Sequence, residues 1–195
     1  MSDARSDLPA PRSPWLMNRE NTVLVIIDVQ EKLLPVVLDS QTVQRNIERL
    51  MDGAALVGIP VLATEQYPKG LGPTVEPLRG RLGEVPEKLS FSCAGCAAFL
   101  EQLSATGRTK VLLTGIETHV CVQQTAFDLM AAGWDVLVCV DAVSSRRGID
   151  RATALERMTQ CGVAPTTTES ALFEWVQAAG TDTFKAISKL VREVP

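Results

Sequence analysis

The sequence predicts an α/β fold, a three-layer α/β/α sandwich built on a mostly parallel sheet. Three observations carry that prediction. Short apolar runs rich in β-branched residues recur along the chain, amphipathic stretches of helical length separate them, and a glycine closes three of those stretches just before the next run. Strands that are apolar throughout need cover on both faces, which crossover helices supply in parallel sheets.

Taken in order, Thr22-Val-Leu-Val-Ile-Ile27 is the first strand, and it stops at Asp28. The spacing of apolar residues predicts a helix over 42–57, closed by Gly58, and then a strand over 60–64. The Gly- and Pro-rich segment 67–92 breaks this rhythm; because strands resume after it, it reads as a functional loop rather than a linker. A helix over 94–106 ends at Gly107, a strand follows over 110–115, and a helix over 119–132 ends at Gly133. The next elements are a strand over 134–140 and a helix over 150–161. Past Gly162, residues 163–168 read as a short edge strand, since only an edge tolerates Pro165, and helices over 169–179 and 183–191 complete the fold.

At 195 residues, 46% hydrophobic and 22% charged, the chain suits one sizeable core, expected over residues 16–195 behind a flexible tail, 1–15. The tail mixes Asp3, Arg5, Asp7 and Arg12 with prolines and lacks the apolar centre of a signal peptide. A net charge of −4 without runs of like charge gives no reason to expect nucleic acid or an anionic membrane as partner. The apolar runs stop far short of the ~20 residues a membrane-spanning helix needs. Five cysteines at irregular spacing in a chain of this size read as reduced thiols. A soluble, cytoplasmic protein is the expectation.

Ligands of open parallel sheets bind outside the carboxyl ends of the strands, which singles out Asp28, Glu65, the 115–121 segment and Asp141. The turn after the first strand has no glycine to cradle a phosphate, so nucleotide binding is disfavoured. His119 is the only histidine, and Cys93-Ala-Gly-Cys96 stands without a second pair, which leaves two structural thiols or a redox pair rather than a zinc site. Cys139 sits inside an apolar strand and reads as core. Cys121 stands in the first turn of a helix that follows a strand, where free amides and the helix dipole favour a thiolate and can hold an oxyanion. His119, two residues away on that helix, points to nearly the opposite side and reads as lining or structural. Asp28 alone reads as a cap on the next turn or an acceptor for a backbone amide; a catalytic reading needs a partner.

Three segments taken together, VIIDVQ with Asp28, EKLSFS with Lys88 and TGIETHVCVQQTAFDL with Cys121, resemble the isochorismatase-like cysteine hydrolases. The resemblance runs from about residue 21 to residue 190. ATEQYPKGLGPTV at 63–75, DAVSSR at 141–146 and TTTESALFEW at 166–175 look most like the isochorismatase domain-containing proteins. It implies a six-stranded, Rossmann-like sheet, a triad of Asp28, Lys88 and Cys121, a cis peptide between Ile116 and Glu117, and an oxyanion hole formed by the amides of Glu117 and Cys121. A unit positive charge ~4 Å from a thiol contributes up to ~4 kcal/mol at an effective dielectric near ~20. Lys88 is therefore expected to favour the Cys121 thiolate, while Asp28 takes the thiol proton and hands it to a leaving amine.

The expected activity is hydrolysis of a small-molecule amide through a thioester acyl-enzyme, with no cofactor. Nicotinamidases of the family carry an Asp-and-His metal site; residues 60–90 here hold no histidine, so no metal is expected. Members that hydrolyse isochorismate, a vinyl ether, do not use a cysteine nucleophile, so Cys121 points to acyl chemistry. Gln30, Leu33, Glu65, Gln66, Tyr67 and Thr118 are chosen as pocket wall, and Phe91 as lid or core. Glu65, Tyr67 and Lys69 stand equally as a set closing the loop. Competing readings are a catalytically quiet oligomeric scaffold, a redox sensor pairing Cys121 with Cys93 or Cys96, and isochorismate hydrolysis. A homo-oligomer is expected by resemblance.

Overall fold

The structure is a computed structural model that describes residues 11–192. Most of the expected tail, residues 1–10, lies outside the described residues. The strands are β1 (Thr22–Ile27), β2 (Val61–Gln66), β3 (Glu87–Lys88), β4 (Lys110–Ile116), β5 (Asp135–Ser144) and β6 (Ala164–Thr166). Helices α1 (Ser40–Val57), α2 (Pro68–Leu71), α3 (Ala97–Ala105), α4 (Gln123–Ala131), α5 (Gly148–Gln160), α6 (Thr168–Val176) and α7 (Asp182–Arg192) connect and cover them.

The strands form one parallel sheet in the order β3-β2-β1-β4-β5-β6. The order reverses between β1 and β4, so the crevice for a ligand opens where Asp28 and the turn after β4 meet. Every residue of β1 and β4 is buried, as continuous apolar runs require. Alternate side chains feed two cores. Leu24, Ile26 and Leu112 pack with Leu50 of α1, Leu172 and Trp175 of α6 and Ile187 of α7. On the other face Val23, Val25, Ile27, Val111 and Leu113 meet Phe99 and Leu103 of α3, Leu129 of α4 and Met158 of α5.

Gly115 fixes how close β1 and β4 come at their carboxyl ends. Its φ is 107°, and a Cβ there would stand 2.1 Å from the carbonyl oxygen of Ile27. No other residue type fits both conditions. The pairing of β4 with β5 shifts register between Leu113 and Gly115, so the strand bends where the site begins.

Four elements depart from the sequence expectations. The segment 67–92 contains α2 and β3 rather than an unstructured loop; four residues and two residues are too short to carry a period. The strand expected over 134–140 continues to Ser144. Polar Asp141 is accommodated there because its Oδ1 accepts from the Thr168 amide at 2.9 Å and its hydroxyl at 3.0 Å, at the start of α6. The helix expected over 94–106 begins as a separate 3-10 turn, Cys93–Gly95. The one expected over 119–132 begins as a wide π-type turn, Thr118–Val122, which holds Cys121.

Candidate active site

Asp28 follows the last residue of β1 with a left-handed backbone, φ 53°. Its amide still bonds Thr64 O of β2 at 3.1 Å, while its carbonyl accepts from the Gln30 amide at 2.9 Å, so the chain turns sharply at the sheet edge. Aspartate is among the few residues that adopt this conformation readily. The side chain is fully buried. Thr64 Oγ1 donates to Oδ1 at 2.9 Å and Lys88 Nζ donates to Oδ2 at 2.7 Å, with the Cys121 thiol near enough to interact with the same carboxylate. Burial pushes the Asp28 pKa above the ordinary carboxylate value, opposed first by the Lys88 charge and then by these hydrogen bonds.

Lys88 reaches this position because β3, short as it is, pairs Lys88 with Gln66 of β2. Its ammonium is almost wholly enclosed and bonds Gln66 Oε1 at 2.8 Å, Phe91 O at 3.0 Å and Ser90 O at 3.3 Å besides Asp28. Burial works against that charge, but Asp28 and the neighbouring thiols outweigh it, and the lysine pKa lies above its usual value.

Cys121 is 5% exposed. Burial, then the charge of Asp28, raise its thiol pKa, and the opposing effect of Lys88 is smaller. Lys88 does favour the thiolate, as expected, but its effect is outweighed: the ammonium sits on Asp28, and burial with the Asp28 charge holds the resting thiol toward its neutral form. Cys93 stands close behind the acid, its Sγ 3.4 Å from Thr64 Oγ1, and burial first, then the Asp28 charge, push its thiol up to about 11. Cys96 is buried against Glu87 O, and Cys139 is held above its usual pKa by burial and by Asp141. All five cysteines are free thiols.

The Ile116–Glu117 peptide is cis. The Glu117 carboxylate turns toward the loop after β5, where Arg146 donates its backbone amide at 3.2 Å and Nε at 3.0 Å. Thr118 is fully buried, and its hydroxyl has no partner within the protein. His119 faces away from the thiol, with Nδ1 3.0 Å from Ser145 Oγ and Nε2 3.9 Å from Asp150.

The residues chosen as pocket wall divide into two groups. Gln30, Glu65 and Gln66 are buried and engaged in holding the fold. The Gln30 amide brackets the Gln66 backbone, accepting from its N–H at 2.8 Å and donating to its carbonyl at 3.0 Å, and also reaches Gly72 O. Glu65 Oε1 receives both the amide and the hydroxyl of Thr74. Leu33 is partly buried against the α1 core, whereas Tyr67 and Phe91 are about half exposed. Tyr67, Pro68, Lys69, Glu87, Lys88 and Leu89 line a cleft of about 310 Å³ beside Lys88. The signal missed in the sequence is Thr64, whose hydroxyl only becomes a partner of Asp28 once β1 and β2 are in register. Among the described residues, no three His, Cys, Asp or Glu side chains converge as metal ligands would, and no helix is long and apolar enough to cross a membrane.

A parallel sheet in this order, with an acid, an ammonium and a thiol meeting at its carboxyl edge, defines a Rossmann-like hydrolase fold. The chain belongs to the isochorismatase family: the isochorismatase domain matches residues 22–170. Isochorismatase domain-containing protein 2 of Danio rerio is 41% identical over 176 residues, spanning 90% of this chain and 89% of that protein. Among solved structures, the MAR1 ribonuclease from Caenorhabditis elegans is 38% identical and superposes with a TM-score of 0.85, over 92% of this chain and 94% of that one. The YcaC gene product from Escherichia coli, an octameric hydrolase of unknown specificity, shares the fold with a TM-score of 0.84 at 22% identity, over 92% of both chains.

Proposed function

We propose that the protein hydrolyses the C–N bond of a small-molecule amide through a thioester at Cys121. One observation carries this reading: a single buried carboxylate, Asp28, takes a hydrogen bond from Lys88 at 2.7 Å and stands close enough to Cys121 for its charge to act on the thiol, which sets a charged base beside a nucleophile. An acid with a raised pKa is suited to taking and returning a proton near neutral pH. Asp28 accepts the thiol proton as Sγ attacks the amide carbon. The oxyanion is held by the amides of Glu117 and Cys121. Collapse expels the amine, which takes the proton from Asp28 and leaves a thioester. Water then attacks the thioester as Asp28 removes its proton, the carboxylic acid departs, and the proton returns to the thiol. Lys88 stays charged throughout as the counter-ion of Asp28. Of the residues chosen as pocket wall, the half-exposed Tyr67 and Phe91 are the ones left open to meet the substrate.

This reading takes residues 16–195 as one domain working in the cytoplasm, where its five free thiols stay reduced. Exposed Leu89, 77% accessible, and Ile149, 71%, fit association of copies into a homo-oligomer, measurable by light scattering. RNA hydrolysis, named for the nematode neighbour, is the second reading. The net charge of −4 and the enclosure of Lys88 weigh against phosphodiester binding at this site.

The test is a panel of small primary and secondary amides assayed for amine release, run beside isochorismate and a single-stranded RNA. Amide turnover that disappears in Cys121→Ala and Asp28→Asn, with an acyl adduct on Cys121 in the mass spectrum, is the expected result. Turnover of RNA or isochorismate that survives Cys121→Ala would overturn the proposal.

A further inference from the structure

We propose that Gln66 is a positioning residue: its side-chain carbonyl holds the Lys88 ammonium against Asp28 and so fixes the charge of the base. The inference rests on the reading of Asp28 as the proton acceptor for Cys121.

Lys88 carries three N–H donors and faces four acceptors, Asp28 Oδ2 at 2.7 Å, Gln66 Oε1 at 2.8 Å, Phe91 O at 3.0 Å and Ser90 O at 3.3 Å. Gln66 is the uncharged side chain among them, and the orientation of its amide is not free. Its Nε2 donates to Leu89 O at 2.9 Å, which leaves Oε1 for the ammonium. Its backbone is fixed in turn, because Gln30 occupies both its N–H and its carbonyl. A ligand offers this amide nothing it lacks. The arrangement is a chain of fixed dipoles running from Gln30 through Gln66 to Lys88 and ending on the base.

A carboxylate in place of this amide adds a negative charge to the same ammonium and competes with Asp28 for it. An apolar side chain removes the 2.8 Å acceptor and leaves the third N–H only the long 3.3 Å contact to Ser90 O, so the ammonium shifts toward the carbonyls of residues 90 and 91 and loosens its hold on Asp28. Both changes make Asp28 easier to protonate. The charged or titratable groups facing Asp28 are Lys88 from β3, Cys121 from the turn after β4 and Cys93 from the turn before α3, with the Thr64 hydroxyl from β2.

The experiment measures iodoacetamide alkylation of Cys121 against pH, by peptide mass spectrometry, in wild type, Gln66→Glu, Gln66→Met and Asp28→Asn. In wild type the alkylation rate rises with pH through a limb that reports Asp28 and is lost in Asp28→Asn. Gln66→Glu is expected to move that limb upward by about one pH unit, and Gln66→Met by less, with thermal unfolding showing both folded. A purely structural glutamine would lower the melting temperature and leave the limb in place, which overturns the proposal. If Gln66→Glu does not fold, Gln66→Met decides alone: an unmoved limb refutes. A wild-type profile that Asp28→Asn leaves unchanged instead overturns the reading of Asp28 as the base.

Discussion

Replacing Lys88 by methionine isolates what the ammonium does. The side chain keeps most of its length and loses its charge, so Asp28 keeps the Thr64 hydroxyl as a partner and Cys121 as a neighbour while losing its 2.7 Å counter-ion. Two unit charges ~4 Å apart at an effective dielectric near ~20 interact by about 4 kcal/mol. Losing that interaction biases a buried carboxyl toward its protonated form by roughly a thousandfold, since burial already favours that form. A protonated Asp28 cannot take the thiol proton. Alkylation of Cys121 by iodoacetamide near pH 7 is therefore expected to fall by about two to three orders of magnitude, and amide turnover with it. The thiol pKa itself gives a weaker reading, because Asp28 and burial dominate it in wild type. A folded Lys88→Met protein that alkylates at the wild-type rate would refute the assignment of Lys88 as the counter-ion of a working base.

Two further outcomes follow from the same geometry. The Cys93 pKa is raised to about 11 from an unfolded value near ~8.5, so its contribution to stability is full below ~8.5 and is lost as pH rises through about 11. Urea unfolding across that window is expected to lose about 3 kcal/mol on this account, and Cys93→Ala to flatten the slope by that share. Gly115→Ala places a Cβ 2.1 Å from Ile27 O at a φ of 107°, so expression in soluble form or a drop of more than about 3 kcal/mol in unfolding free energy checks it, with failure or the larger loss expected.

The strands at the middle of the sheet were legible because burial on both faces leaves an unbroken apolar run: β1 matches its expectation residue for residue, and β4 differs by one residue at its end. β3 was not, since two residues carry no pattern and Lys88 contradicts the apolar rule; the resemblance of EKLSFS singled out Lys88 but not the strand that holds it. The extension of β5 through Asp141 was hidden for a related reason, as a polar residue inside a strand is affordable only with a partner from α6, 27 residues away. At the candidate site, Asp28 and Cys121 could be singled out by their addresses at strand ends, but only the resemblance joined them to each other and to Lys88. The direction of charge between them could not be read, because it depends on whether Lys88 spends its charge on the thiol or on the acid, and a one-dimensional spacing does not say. Gln30 and Gln66 were chosen for the pocket by proximity to the right strands; that their amides face inward is a property of the register between β2 and β3 and of the turn at Asp28.

The two cores on opposite faces of the sheet also partition the molecule for engineering. Cys93, Cys96 and Cys121 belong to the layer packed by α3, α4 and α5, whereas α1, α6 and α7 pack only on the other layer. Cys139 apart, substitutions confined to the α1, α6 and α7 layer lie in a different core from Cys93, Cys96 and Cys121, so their effects on stability combine with changes at the site as nearly independent increments. That layer is the place to build a sturdier scaffold on which the half-exposed Tyr67 and Phe91 can be varied, with Leu33, which packs against it, left in place.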